Sequence, residues 1–501
     1  MNSAEIFNST KIKGITGSPP PEIKGITQDS RKVEEGFLFV AIPGSQLDGA
    51  SFIPHALEKG AYGVVVEKDL DVTAPFVIKV ESPRAALADL SSAFYGRPSE
   101  KLKVVGVTGT DGKTTTTHLI RHLLLEAGWQ VGVLNTVYLG WNKSEEKSPF
   151  SNTTPGSTEV QSFLADVVSR AILEPPKAAV LEVSSHAIAL DRVRAVEFDA
   201  AVFTNLTPEH LEFHHTFEEY REAKTQLFAQ LGHGVKNTPK FGVINADDLN
   251  AGYFRSACSV PIIDYGMASD CRVRGEIVSI SPSGTEFKFI VDDEEYQTFT
   301  KLPGRFNISN WLAGLSVAHG FGLDLDSLVS KIPYIESVKG RMMEIQEGQP
   351  FRVIVDFAHT PGALRTVVNN IKEQNPNRLA VIIGHAGGRD PNNRPELARA
   401  AEGGDFIFLT MDDPCDEDPI EIAKIMADAL RADGKRESLD FRVVVDRKEA
   451  IREALFWAKP QDLVLIAGRG HESYLPIGDI NLPFDDVLVA KELLTGMGYS
   501  N

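Results

Sequence analysis

Short apolar runs bounded by polar turns recur along the whole chain, with the lengths of buried strands rather than of long helices. In the first hundred residues, "LFVAI" at 38, "YGVVVEK" at 62 and "FVIKV" at 76 alternate with the helix-patterned stretches "SFIPHALEKGA" and "PRAALADLSSAFYG". This grammar predicts a small α/β domain over residues 1–100. "GRPSEK" at 96–101 breaks the pattern, and "KVVGVTG" then begins a strand that opens into a glycine-rich turn. Further buried-strand patterns at "AAVLEVSS", "AAVFTNL" and "FGVIN", with helical spacing between them, predict a mostly parallel sheet in a domain over residues 101–337. After "GRMM" at 340–343 a third series follows: "RVIVDFAHTP", "LAVIIGHAGGRD", "DFIFLTMDDP" and "DLVLIAGRGHE". Each of these strands runs into a polar or glycine-rich loop. Ligands of open α/β sheets lie at the carboxyl ends of strands, so the four loops are expected to converge on one crevice in a domain over residues 338–501. The predicted fold class is therefore α/β in three domains.

Composition bounds the function without naming it. With 501 residues, 42% of them hydrophobic, the chain can bury several cores. Its 69 acidic against 51 basic residues give a formal charge of −18, which argues against nucleic acid or an anionic membrane as the main partner. No run is long enough to span a bilayer, and "MNSAEIFNST" lacks the basic and apolar regions of an export signal. Three scattered cysteines, Cys258, Cys271 and Cys415, make no disulfide framework or metal motif, so a reducing, cytoplasmic setting is expected. Cys415 lies in "TMDDPCDEDP", ringed by five acids, and its thiol is expected to have a raised pKa and to be a poor nucleophile.

The strongest chemical signal is "VVGVTGTDGKTTTTHL", residues 104–119. It departs from the strict G-x-x-x-x-G-K-[ST] spacing, because the first glycine of that pattern would fall on Val107. Strand, glycine turn, Gly112-Lys113-Thr114 and a following helix remain, and they outweigh the bland reading of a glycine-rich turn with an exposed lysine. The loop Gly109, Thr110, Asp111, Gly112 would cradle the phosphates of ATP, Lys113 would reach the β and γ groups, and Thr114 or Thr115 would ligate Mg²⁺. Asp111 is out of place, since a carboxylate there repels phosphate unless it points away or faces a metal. A second signal is "TFEEYREAKTQLF", which opens with a capping box, Thr216 and Glu219. On the predicted helix Phe217, Tyr220, Lys224, Phe228 and Leu231 share a face, placing Lys224 on the apolar stripe. Either its stem packs while its head reaches water, or it is a modified or paired lysine of an active site. Glu182 ends a strand where it could hold Mg²⁺. His210, His214 and His215 match no firm zinc spacing, and a single magnesium-associated histidine is preferred. Ser184, Ser185 and His186 lack the G-x-S-x-G elbow of a serine esterase.

Taken in order, the motifs "TQDSRKVEEGFLFVAIPG", "DGASF", "GTDGKTT", "NTTP", "EVSSHA", "TNL", "HLEFH", "AK", "FNISN", "GRM", "DFAHTP", "RDPNNRP", "DDP" and "GRGHE" resemble the Mur ligase family over nearly the whole chain. The resemblance is greatest to the branch that adds a diamino acid to UDP-N-acetylmuramoyl-L-alanyl-D-glutamate. It implies a UDP-binding N-terminal domain, a central ATPase and a Rossmann-like C-terminal domain, acting as a monomer in peptidoglycan synthesis and hence in cell-wall biogenesis, cell shape and division. By the same resemblance Ser30, Gln46 and Asp48 would contact the uridine part. Asn152, Thr153, Thr154, Ser184 and Arg192 would bind the muramoyl-dipeptide. Lys113, Thr114, Glu182 and His210 would serve ATP and two magnesium ions, and Lys224 would be carbamylated to support a metal. Asn307, Asn310, Arg341 and Asp356 would hold the nucleotide, while Arg389, Asp412, Asp413, Cys415, Gly468 and Glu472 would face the amino acid.

The reaction so implied passes the γ-phosphoryl group of ATP to the D-glutamate γ-carboxylate, and the amine of the incoming amino acid then attacks the acyl phosphate. Several residues depart from the family pattern: Asp111 for asparagine, Glu209 and Glu212 for aspartates, His215 for glycine, Phe357 for tyrosine, Arg469 for lysine, and no acid before Arg389. The loop Asp412-Asp413-Pro414-Cys415 stands where members that add diaminopimelate carry D-N-P-R, whose arginine grips the distal carboxylate. That substitution predicts L-lysine or L-ornithine, with meso-diaminopimelate as the alternative. A folylpolyglutamate or cyanophycin-type ligase would not need the first hundred residues, and a scaffold that only binds nucleotide would not need Lys224, Glu182 and His210 together.

Overall fold

Each strand expected from an apolar run is present at that run, and further strands lie between them. The computed structural model describes residues 3–44, 48–68, 74–150, 152–172, 174, 176–268, 270–281, 283–478 and 480–500. The chain forms two compact units, one of Met1–Val273 with Leu312–Leu328, the other of Arg274–Trp311 with Val329–Asn501.

The first unit holds two sheets. Strands β1 (Ile12–Gly17), β2 (Gly25–Thr27), β3 (Phe37–Val40), β4 (Gly63–Val66) and β5 (Phe76–Val80) lie in the order β1-β5-β4-β3-β2. They are parallel except for β1, which pairs antiparallel with β5. The helix Pro83–Phe94 starts at Ser82, whose hydroxyl accepts from the Ala85 amide, and buries Leu87 and Leu90 against Val65 and Ile78. The larger sheet contains β6 (Lys103–Thr108), β7 (Gln130–Leu134), β8 (Tyr138–Trp141), β9 (Ser144–Lys147), β10 (Lys177–Glu182), β11 (Ala200–Phe203), β12 (Phe241–Asn245) and β13 (Ile262–Gly266), ordered β13-β12-β11-β6-β10-β7-β8-β9. From β13 to β7 the pairing is parallel, as expected, and both faces of these strands are covered. The hairpin β8–β9 is antiparallel and was not among the expected strands, because β9, "SEEK", is wholly exposed and carries no apolar run. In this order β6 sits between β10 and β11, although both follow it in the chain. The loops after β6, β10 and β11 therefore open side by side at one edge.

The second unit begins with β14 (Val273–Ser281), β15 (Gly284–Val291) and β16 (Glu294–Thr300), of which β15 and β16 form an antiparallel ribbon. Its main sheet joins β17 (Met343–Ile345), β18 (Arg352–Asp356), β19 (Leu379–Ile383), β20 (Phe406–Leu409), β21 (Phe441–Val443) and β22 (Leu463–Ala467) in the order β17-β18-β22-β19-β20-β21, parallel except for β17. Alternate strand residues face opposite layers. Ile354, Val381, Ile407 and Leu465 pack on the helices Pro361–Glu373, Asn393–Ala400 and Pro419–Ala432, while Val355, Ile382, Phe408 and Ile466 pack on Arg447–Trp457 and Asp486–Gly496. A small hairpin, β23 (Tyr474–Ile477) with β24 (Ile480–Pro483), completes the unit.

Candidate active site

In the first unit the phosphate loop is held by a network anchored on the loop after β11. The Thr110 amide donates to the Asn205 carbonyl at 2.8 Å, the Asp111 amide to Asn205 Oδ1 at 2.9 Å, and Thr204 Oγ1 to the Asp111 carbonyl at 2.7 Å. Gly109 has φ +148°, and a Cβ there would overlap Thr204 Oγ1, so only glycine fits. Gly112, at φ +80°, precedes the helix Lys113–Glu126, whose first amides face the loop. Lys113 Nζ donates to the Thr110 carbonyl at 2.7 Å, and Thr115 is half-buried on the same first turn. The backbone of Asp111 is thus pinned from both sides.

Glu182, at the end of β10, is buried beside this turn. Its Oε2 accepts from Thr114 Oγ1 at 2.9 Å and from the amide and hydroxyl of Thr136, each at 3.0 Å. Glu182 Oε1 has no hydrogen-bond partner among the described residues. A buried carboxylate and a threonine hydroxyl on a phosphate loop are hard oxygen donors of the kind Mg²⁺ takes, so the residues fit that ion. Thr136 escaped sequence reasoning because nothing in "NTVYLG" signals a contact 46 residues away.

Lys224 lies on the helix Phe217–Ala229, started by Thr216 Oγ1, which accepts from the Glu219 amide at 3.1 Å. The side chain is buried, not snorkelling: 1% exposed, with Nζ donating to the Gly109 carbonyl at 2.7 Å and 4.6 Å from the Tyr220 ring centroid. Burial first, and the charge of Lys113 second, hold its pKa well below the ordinary lysine value. The amine is therefore biased toward its neutral, nucleophilic form. Tyr220 also shares a 3.0 Å hydrogen bond with Thr110 Oγ1, linking the helix to the phosphate loop.

His210 has left-handed backbone, φ +58°, between Glu209 at 3.7 Å and Glu212 at 3.4 Å. Burial lowers its pKa and takes those of His186 and His214 to about 4, so the latter two rings are neutral at pH 7. His210, His214 and His215 do not come together as three ligands. Among the described residues the group of three potential ligands close enough to share an ion is Asp412, Asp413 and Glu472.

Three of the residues expected to bind the muramoyl-dipeptide, Thr154, Ser184 and Arg192, are linked to one another next to Glu182. Thr154 Oγ1 donates to the Glu182 carbonyl at 2.8 Å and accepts from the Ser184 amide at 3.0 Å, while Arg192 Nη1 donates to the Thr154 carbonyl at 2.7 Å. Asn152 is exposed and Thr153 half-buried on the same loop. Ser30 is buried with its hydroxyl 3.0 Å from His55 Nδ1, and Asp48 caps the turn Gly49–Phe52 through the Ala50 amide. Gln46 lies outside the described residues.

In the second unit the loops after β18, β19, β20 and β22 do meet. The Gly468 amide donates to the Asp356 carbonyl at 3.1 Å and the Gly387 amide to the Asp413 carbonyl at 2.7 Å. Asp356 is buried and accepts from the Met342 and Ala358 amides at 2.7 and 2.8 Å, and the Arg341 guanidinium lies 4.4 Å from the Phe357 ring centroid. Asn307 and Asn310 are buried on one helical turn, with Asn310 Nδ2 donating to Asn307 Oδ1 at 3.3 Å. Arg469 is completely buried, ion-paired to Asp413 and 3.6 Å from both Asp412 and Glu472. That guanidinium accounts for the acidic trio, which therefore carries no case for a metal. Burial and the charge of Asp412 push Glu472 up to about 7. Cys415 is half-buried at φ +52°, its amide donating to the Pro476 carbonyl and its carbonyl accepting from the Gly478 amide. Its thiol pKa is raised as expected, but burial is the largest cause, Asp416 comes next, and Arg389 opposes them.

A glycine-rich loop at a helix N-terminus, a carboxylate buried beside it and a buried lysine of depressed pKa in one unit, with a doubly wound second unit, mark a nucleotide-dependent α/β enzyme. The chain belongs to the Mur ligase family: residues 22–95 match the model "Mur ligase family, catalytic domain", residues 107–318 "Mur ligase middle domain" and residues 340–470 "Mur ligase, glutamate ligase domain". It is 40% identical to the UDP-N-acetylmuramoyl-L-alanyl-D-glutamate--2,6-diaminopimelate ligase of Bacillus velezensis, over 94% of each chain. It is 39% identical to the protein of the same name from Syntrophomonas wolfei, over 99% of each. A solved structure of a UDP-N-acetylmuramoyl-L-alanyl-D-glutamate--2,6-diaminopimelate ligase superposes with a TM-score of 0.68 at 29% identity, covering 100% of both chains.

Proposed function

We propose that this chain joins an amine of 2,6-diaminopimelate to the D-glutamate γ-carboxylate of UDP-N-acetylmuramoyl-L-alanyl-D-glutamate, with ATP converted to ADP and phosphate. The supporting observation is full-length similarity, at 36–40% identity, to ligases named for that amino acid. It outweighs the expectation of lysine or ornithine drawn from the loop at Cys415. Arg389, whose charge reaches the Cys415 thiol, offers a guanidinium beside the position where the loop arginine is missing.

The residues divide the work as follows. Gly109, Thr110, Asp111 and Gly112 present backbone amides to the ATP phosphates, and Lys113 neutralises charge as the γ-phosphoryl group moves. Asn152, Thr153, Thr154, Ser184 and Arg192 bind the muramoyl-dipeptide part of the acceptor. Thr114, Glu182, His210 and carbamylated Lys224 would hold two Mg²⁺ ions, which supply charge neutralisation between nucleotide and acceptor. Asn307, Asn310, Arg341 and Asp356 address the nucleotide, and Arg389, Asp412, Asp413, Gly468 and Glu472 the amino acid. The free amine attacks the acyl phosphate, and phosphate leaves. The family matches at 22–95, 107–318 and 340–470 support a division into UDP-binding, ATPase and amino-acid domains near residues 100 and 337. The three cysteines are free, which accords with action in a reducing cytoplasm on peptidoglycan precursors, and the chain is proposed to act as a monomer.

Phosphate release is expected to require both the nucleotide dipeptide and a diamino acid, and in parallel turnover 2,6-diaminopimelate should exceed lysine and ornithine by at least about tenfold. Preference for lysine would reject the substrate assignment, and dipeptide binding without amino-acid-dependent turnover would reject the ligase.

A further inference from the structure

Arg84 and Arg192 are half-buried guanidinium groups with no carboxylate within ion-pair distance among the described residues, in a chain whose acids outnumber its bases. Each spends one arm on a backbone carbonyl: Arg192 Nη1 on Thr154 at 2.7 Å, Arg84 Nη2 on Pro43 at 3.0 Å. The fold brings them together. Arg84 opens the helix Pro83–Phe94, and further along that helix Asp89 pairs with Arg194 at 3.5 Å and Ser91 bonds Thr158 at 3.0 Å. Burial and then the charge of Arg84 lower the proton affinity of Arg192, with Glu159 opposing; the Asp191 carboxylate acts on Arg84 but also pairs with Arg194 at 3.8 Å. Glu159 itself pairs with Lys32 at 3.4 Å.

Tying two loops through carbonyls needs only neutral donors. Two guanidinium groups held near each other in a partly desolvated place cost free energy until an anion enters. The positions identify that anion, given the reading of the substrate above. Pro43 forms a bridge with Asp48, so Arg84 supports the loop assigned to uridine, and Arg192 belongs to the residues assigned to the muramoyl-dipeptide. Between uridine and the sugar-peptide lies the diphosphate. We propose that Arg84 is a substrate-binding residue that, together with Arg192, grips the diphosphate of the nucleotide-sugar substrate.

Calorimetric titration with uridine, UMP and UDP tests this in the full chain. Wild-type protein should bind UDP more tightly than UMP or uridine, and Arg84→Ala should weaken UDP by about tenfold or more while leaving uridine unchanged. KM for the nucleotide dipeptide should rise by a similar factor, with KM for ATP unmoved. Arg84→Gln, which keeps a donor for Pro43 without the charge, should behave like Arg84→Ala and unfold at the wild-type temperature. Full UDP affinity in Arg84→Gln, or equal loss of uridine and UDP in Arg84→Ala, would show a purely loop-tying role and overturn the proposal. Failure of the wild-type chain to bind UDP at all would instead remove the substrate reading on which the proposal stands.

Discussion

Lys224 shows what one side chain gains and loses by burial. As an unmodified base with a depressed pKa it binds a proton less readily folded than unfolded, so its contribution to stability worsens as pH falls below the unfolded value of about 10.5. The proposed carbamylation would turn that liability into an anion able to support a metal. With ¹³C-bicarbonate, the protein should show a carbamate carbon resonance that Lys224→Arg abolishes, and that variant should lose about 100-fold or more in turnover. An intact resonance in Lys224→Arg would place the modification elsewhere. His215 is a simpler case. It holds φ +61° where the family pattern has glycine, so a β-carbon sits in the left-handed region. His215→Gly should raise stability by about 0.5–1 kcal/mol in chemical denaturation, and a fall would mean that the ring's contacts outweigh the backbone strain.

At the scale of elements, the site is made by loops pressed against each other at strand ends. Gly340, at φ +67°, is one such contact, because a Cβ there would overlap the Gly470 backbone between Arg341 and the turn that carries Arg469 and Glu472. Gly340→Ala should therefore cost about 2–4 kcal/mol of stability and raise KM for ATP and amino acid together, since both loops move. A change in neither would show the turn to be slack. The same geometry explains which elements were legible beforehand. Buried parallel strands such as β10 and β19 are continuous apolar runs and were read directly, whereas β9 and β24 expose every residue and offered no periodicity. In the ribbon β15–β16, "FKFIV" alternates with period two and its burial alternates with it, a signal in the sequence that the apolar runs alone do not pick out.

Over the whole molecule, the phosphate loop, Glu182 and Lys224 could be picked out singly, because each breaks a local rule: glycines before a helix, an acid at a buried strand end, a lysine on an apolar face. Their meeting could not, for it depends on β6 lying between β10 and β11, strands that are 74 and 97 residues further along in sequence, counted from Lys103 to Lys177 and Ala200. Cys415 marks the other limit. The acids of its own loop predict a repelled carboxylate, whereas the charge of Arg389, expected at the amino acid by resemblance alone, reaches the thiol from the loop after a different strand. What the sequence determined by itself was the α/β class, the positions of the buried central strands and the candidate residues, since these follow from periodicity and local chemistry. What only the tertiary structure decided was which of those residues face each other, namely Thr136 with Glu182, Lys224 with Gly109, Arg469 with Asp413 and Arg84 with the Arg192 loop. Charge and hydrogen bonding act over a few ångströms in space, and separation along the chain says nothing about them.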